Sequence, residues 1–190
     1  MILPNQIKLN FLDWGSRGRT FKSCHSDQKK HFHSNGSAFI LSSINNTMKN
    51  IIYTAHVMWA QIDANQHMRH SAYADFAAQA RMALLDSMGL NADIFMKNKL
   101  GPVLFREELI YIKEINMNEK ISISCELVKC KKDGSKWTIK HQIYNSKEQV
   151  SAIITVDGAW IDLVKRKVTS LPEDILEAFM TIPKSADFID

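Results

Sequence analysis

The chain has 190 residues, enough for one ordinary domain with a real core, and its 45% apolar and 23% charged residues fit a globular protein. No apolar run approaches the roughly 18 residues that a membrane span requires. The net charge of +4 arises wholly within residues 1–47, so the body of the chain is neutral and carries no bulk nucleic-acid signature.

In chain order, residues 1–47 differ from the rest. Glycine, serine and histidine cluster there, and neither helical nor strand periodicity persists. Low acidity and two arginines are compatible with a targeting peptide, and His25, His31 and His33 with a metal site. The composition fits better a disordered extension, or translation upstream of a true start at Met48. A single domain is therefore expected over residues 48–190.

From Met48 the pattern is regular. Ile51 to Trp59 is rich in β-branched and aromatic residues and reads as a strand. Ser71 is placed to cap a helix running to about Met88, with Gly89 at the C′ position. Tyr73, Phe76, Ala77, Ala80, Leu84 and Met88 share one face of that helix. Its run of alanines lets another surface approach closely, which marks it as central and buried.

Four strand-like segments follow: Val103 to Ile115; the alternation Ile121, Ile123, Cys125, Leu127; the alternation Trp137, Ile139, His141, Ile143; and Val150 to Leu163, with Gly158 as an expected bulge. Asp133-Gly134 and Asn145-Ser-Lys-Glu mark turns between them. Pro172 opens a short helix. One helix can cover one face of such a sheet, and the sheet's edges then need partners, so an oligomer is expected.

The three cysteines, Cys24, Cys125 and Cys130, are odd in number and form no Cys-x-x-Cys, which fits a reducing, cytoplasmic location. Cys125 and Cys130 are five apart, so an unbroken strand would send them to opposite faces as small structural residues.

The most informative segment is Asp63-Ala-Asn-Gln-His-Met-Arg-His-Ser-Ala-Tyr73. A carboxylate stands in a polar loop just before the positively polarised start of a helix. That arrangement suits hydrolysis of an activated carbonyl, although a lone Asp in such a loop is more often a turn or cap residue. His67 and His70 lack further ligands at metal spacing, so no metal is expected. No Gly-x-Ser-x-Gly is present.

This segment resembles the signature of hot-dog-fold thioesterases of the 4-hydroxybenzoyl-CoA type: an Asp, then a Gly-His or Gln-His pair, then a Tyr ten residues after the Asp. Asp63, His67 and Tyr73 fall on those positions, and the order of elements fits over residues 51–178. The resemblance implies an α+β fold in which a curled antiparallel sheet wraps one long central helix, assembled as a homodimer or homotetramer. It implies hydrolysis of an acyl-CoA or acyl-carrier-protein thioester, without a cofactor. Asp63 would act as general base or nucleophile, the backbone N–H of His70 would polarise the carbonyl, and Tyr73 would shape the pocket. Asn65, Gln66, His67 and Phe76 would contact substrate.

One departure stands out. Many relatives carry a Glu on the central helix five residues after the Tyr, where this chain has Ala78. That substitution keeps open a second reading, a non-catalytic acyl-CoA-binding module on the same fold. A hydratase of the same superfold is disfavoured, because Leu100-Gly-Pro lacks the residue between Gly and Pro and the accompanying histidine.

Overall fold

A computed structural model describes residues 50–189. The expectations for residues 1–47 and for Cys24 lie outside the described residues.

The strands are β1 (Ile51–His56), β2 (Leu100–Tyr111), β3 (Lys120–Cys130), β4 (Lys136–Tyr144), β5 (Val150–Asp162), β6 (Lys167–Val168) and β7 (Lys184–Ile189). The helices are α1 (His70–Ser87), α2 (Ala92–Lys97) and α3 (Glu173–Phe179). The sheet order is β1-β3-β4-β5-β2. All of these neighbours run antiparallel. Two short strands extend it: β6 pairs with the end of β5, and β7 lies parallel to the end of β3.

Alternation explains which face is covered. Ile121, Ile123, Cys125 and Leu127 of β3, Ile139, His141 and Ile143 of β4, and Ala152, Ile154 and Val156 of β5 all point inward and are buried. Helix α1 crosses that face, burying Ala72, Tyr73, Phe76, Ala77, Ala80, Leu84 and Leu85. Each large apolar side chain there contributes about 1.5–3 kcal/mol by leaving water. At the far end of the helix Trp160 packs against Phe95 and Phe179 at centroid distances of 5.1 and 5.6 Å.

Helix α1 starts one residue before Ser71. Arg69 is the N-cap residue, and its side chain makes no capping hydrogen bond. Ser71 instead accepts a hydrogen bond from Arg69 Nη1 at 2.9 Å. The other end closes as expected. Gly89 adopts φ +77°, and the N–H groups of Gly89 and Leu90 donate to Asp86 and Leu85, the paired bonds of a Schellman motif.

Three further expectations need correction. Strand β1 stops at His56, and Trp59–Gln61 forms a 3-10 turn. The extra residue expected at Gly158 lies on the neighbouring strand, because the register between β2 and β5 slips between Leu104 and Arg106. Gly158 serves close approach instead: a Cβ there would run into the ring of Trp137. Finally, Cys125 and Cys130 are both buried inward. A register shift between Leu127 and Lys129 changes the phase of β3 and returns Cys130 to the core face.

Candidate active site

The site begins with the tight turn that carries Asp63. The N–H of Gln66 donates to the carbonyl of Asp63 at 3.1 Å, and the N–H of Asp63 donates to the carbonyl of His67 at 2.9 Å. Gln66 takes the left-handed conformation, φ +68°, that closes such a turn. The Asp63 side chain braces it from within: Oδ1 accepts the N–H of Asn65 at 2.8 Å and of His67 at 3.2 Å. Oδ2 takes part in neither of these bonds.

The loop is clamped on both sides. Met68 N–H donates to the Ile115 carbonyl at 2.7 Å and Arg69 N–H to the Gln61 carbonyl at 2.8 Å. His67 bridges to Asn116. Asn116 is in turn held by Glu119, which accepts its N–H at 2.9 Å and the Ser146 hydroxyl at 2.7 Å. Burial opposes ionisation of Glu119, but these donors outweigh it and hold the carboxyl below its ordinary value.

Asp63, His67, His70 and Tyr73 line one open cleft of about 330 Å³, together with Met68, Tyr111, Ile112, Lys113 and Glu114. His70 is the first residue of α1, so its N–H has no acceptor within the helix. The first turn holds no acidic residue, so nothing there offsets its positive end. The one carboxylate in the Asp63–Tyr73 segment thus shares a cleft with the helix start.

Tyr73 lies under the cleft with its ring edge-on to Tyr111, centroids 5.2 Å apart at 80°. Tyr111 reaches over the helix start, its hydroxyl 3.4 Å from the His70 carbonyl. Burial, then the neighbouring Tyr111 and Asp63, push the Tyr73 hydroxyl up to about 12, so it stays a hydrogen-bond donor at neutral pH.

The remaining sequence candidates divide. Asn65 and Gln66 are exposed in the turn, and Gln66 faces a separate hollow with Trp59 and Met117. Phe76 is 6% exposed and belongs to the core, not to the cleft lining. Its place one turn beyond Tyr73 on the same helical face accounts for the difference. Tyr111, Lys113 and Glu114 join the cleft without a motif of their own. They lie where β2 ends beside the start of α1, a proximity set by the fold. Among the described residues no cluster of histidine, cysteine and carboxylate groups could hold a metal ion, and no helix is long and apolar enough to cross a membrane.

A family model described as the thioesterase-like superfamily matches residues 57–179. No curated protein sequence matches significantly. Among solved structures, the chain is similar to a hypothetical protein from Staphylococcus aureus in complex with CoA, at TM-score 0.66 and 14% identity, over 75% of this chain and 91% of that one. It is similar to a 1,4-dihydroxy-2-naphthoyl-CoA thioesterase from Synechocystis, at TM-score 0.61 and 15% identity, over 67% and 93% of the two chains. A DHNA-CoA thioesterase from Staphylococcus aureus gives TM-score 0.63 and 19% identity, over 68% and 87%. At these identities the likeness is one of fold.

Proposed function

The chain belongs to the thioesterase-like superfamily and has its hot-dog fold, and from that premise we propose that it hydrolyses an acyl-CoA or acyl-carrier-protein thioester to the free carboxylic acid and thiol. The observation that carries this reading is the shared cleft of Asp63 and the start of α1. A thioester carbonyl is already activated, so one carboxylate and one aimed donor suffice. The finer resemblance, to the 4-hydroxybenzoyl-CoA type, rests on Asp63, His67 and Tyr73.

In this mechanism Asp63 Oδ1 holds the turn while Oδ2 works. As general base, Oδ2 takes a proton from water as the water oxygen attacks the thioester carbon. The carbonyl oxygen becomes an oxyanion and is received by the N–H of His70. Collapse breaks the C–S bond, and the thiolate leaves with the proton. As nucleophile, the same oxygen would form an anhydride with the acyl group, which water then cleaves. Tyr73 and Tyr111 wall the cleft beside the carbonyl.

The assembly in this reading is a homodimer formed along β2. That strand ends the sheet, with β5 on one side and no partner on the other among the described residues. Leu104, Phe105, Ile110 and Tyr111 along it are 43–63% exposed. A free edge bearing large apolar side chains is a template for another strand, and a second copy of the same strand satisfies it by two-fold symmetry.

A panel of acyl-CoAs with a thiol-trapping dye tests the activity. Thiol release from at least one member is expected, and none from any would overturn hydrolysis. Ala78 favours the second reading, binding without turnover, which would show as thermal stabilisation by an acyl-CoA that is never cleaved.

A further inference from the structure

A second cavity, of about 150 Å³, lies between α1, the start of β2 and the aromatic cluster. Ala78 and Arg81 of α1, Pro102 and Leu104 of β2, and the rings of Trp137 and Trp160 are among its walls. Its size matches an engineered apolar cavity of about 150 Å³ that admits benzene, so a chain of about five or six carbons fits.

Among the lining side chains Arg81 is the one that carries a charge. Arg81 reaches inward to the fully buried His141, with Nη1 3.1 Å from Nε2. His141 is a neutral partner, because burial and then the Arg81 charge push the imidazole down to about 3. Arg81 forms no ion pair among the described residues. Glu107 on the exposed edge strand acts on it only through its field. Arg81 is half-buried, and a cation whose described hydrogen-bond partner is a neutral imidazole gains from an anion that enters the cavity beside it.

The dimer proposed along β2 would bring the cavity toward the chemistry. Pro102 and Leu104, at the start of β2, wall the cavity, whereas Tyr111, at its end, walls the Asp63 cleft. Antiparallel pairing of β2 with a second copy sets the start of one strand beside the end of the other. The cavity of one protomer then adjoins the cleft of its partner.

We propose that this cavity receives the far end of an acyl group that carries a carboxylate, with Arg81 as its counter-ion, so that the substrates are monothioesters of short dicarboxylic acids. The methylene chain lies against the tryptophan rings and Leu84, and Ala78 leaves the space that a longer side chain would fill. This assignment rests on the thioesterase reading for the chemistry at Asp63.

Binding is measured by titration calorimetry on the full chain carrying Asp63→Asn, with three probes: adipoyl-CoA, hexanoyl-CoA and the CoA thioester of adipic acid monomethyl ester. Adipoyl-CoA is expected to bind at least tenfold more tightly than either uncharged probe. Adding Arg81→Met removes that preference, and Arg81→Lys keeps part of it. Equal affinities for the three probes, no binding of any, or a preference that survives Arg81→Met would overturn the proposal. The comparison of adipoyl-CoA with its methyl ester decides the matter even if Arg81→Met does not fold. Thiol release by the chain without substitutions reports separately on hydrolysis: a carboxylate preference without release means that the site binds dicarboxylic thioesters and does not cleave them.

Discussion

Asp63 Oδ1 accepts the backbone N–H of Asn65 at 2.8 Å, so one oxygen of the proposed catalytic carboxylate builds the loop that presents it. The His67 N–H, at 3.2 Å from the same oxygen, makes the arrangement a two-donor brace. The amide oxygen of an Asn can replace Oδ1 in this role, but an amide cannot replace Oδ2 as a base. Asp63→Asn and Asp63→Ala therefore differ in kind. The first keeps the turn; the second removes both hydrogen bonds and should cost about 1–2 kcal/mol of stability, read as a lower midpoint in urea.

Gln66 is the strained member of the same turn, with φ +68° on a residue that has a Cβ. Gln66→Gly should leave stability unchanged or raise it by up to about 1 kcal/mol. Gln66→Val should lower it by about 1–3 kcal/mol, since a β-branched residue resists this conformation. Thermal denaturation of the two variants checks both signs.

Gly158 makes room for the Trp137 ring, which walls the second cavity. Gly158→Ala should force Trp137 off its position and cost about 1–3 kcal/mol, as overpacking of a filled core does. A shifted tryptophan emission spectrum should accompany the loss, because Trp137 and Trp160 pack 6.3 Å apart.

His141 makes the fold acid-sensitive. Burial, then the Arg81 charge, bring its folded pKa down to about 3, against about 6.5 in the unfolded chain; the bond to the Ser124 carbonyl opposes them. Between those values the unfolded state binds the extra proton. The stabilisation is thus complete above pH 6.5 and is lost as pH falls toward 3, by up to about 1.4 kcal/mol per pH unit. Urea midpoints measured from pH 7 to pH 4 should fall steeply, and His141→Gln should flatten that slope.

Phe105 is 63% exposed near the middle of the free edge strand. A two-fold axis through that edge brings both copies of this position together. Phe105→Glu would face two carboxylates across the axis, and sedimentation should show a shift from dimer toward monomer, with the far-UV spectrum unchanged.

Much of this was legible in the chain. The inward residues of β3 and β4 followed from simple alternation, and α1 from its apolar stripe and Gly89. Helix α2 was missed, although Asn91, whose Oδ1 accepts the Ile94 N–H at 3.1 Å, was its signal. It is six residues long, too short for periodicity to declare itself. The facing of Cys130 was misread because a bulge has no reliable mark in sequence and reverses every side chain beyond it. In the site, the local residues Asp63, His67, His70 and Tyr73 were readable together because one loop and one helical turn carry them. Tyr111 was not assigned, since only the packing of β2 against α1 brings it there. Arg81 and His141 lie on different elements, and their contact is likewise a product of tertiary packing.

The central claim is that Asp63 performs the hydrolysis. The direct measurement is thiol release from the best acyl-CoA of the panel by the unsubstituted protein and by Asp63→Asn, with thermal denaturation of both. The account predicts a fall in kcat of about a hundredfold or more with the melting temperature nearly unchanged, because the amide oxygen still braces Asn65 and His67 while the base is gone. Equal rates from the two proteins would contradict it.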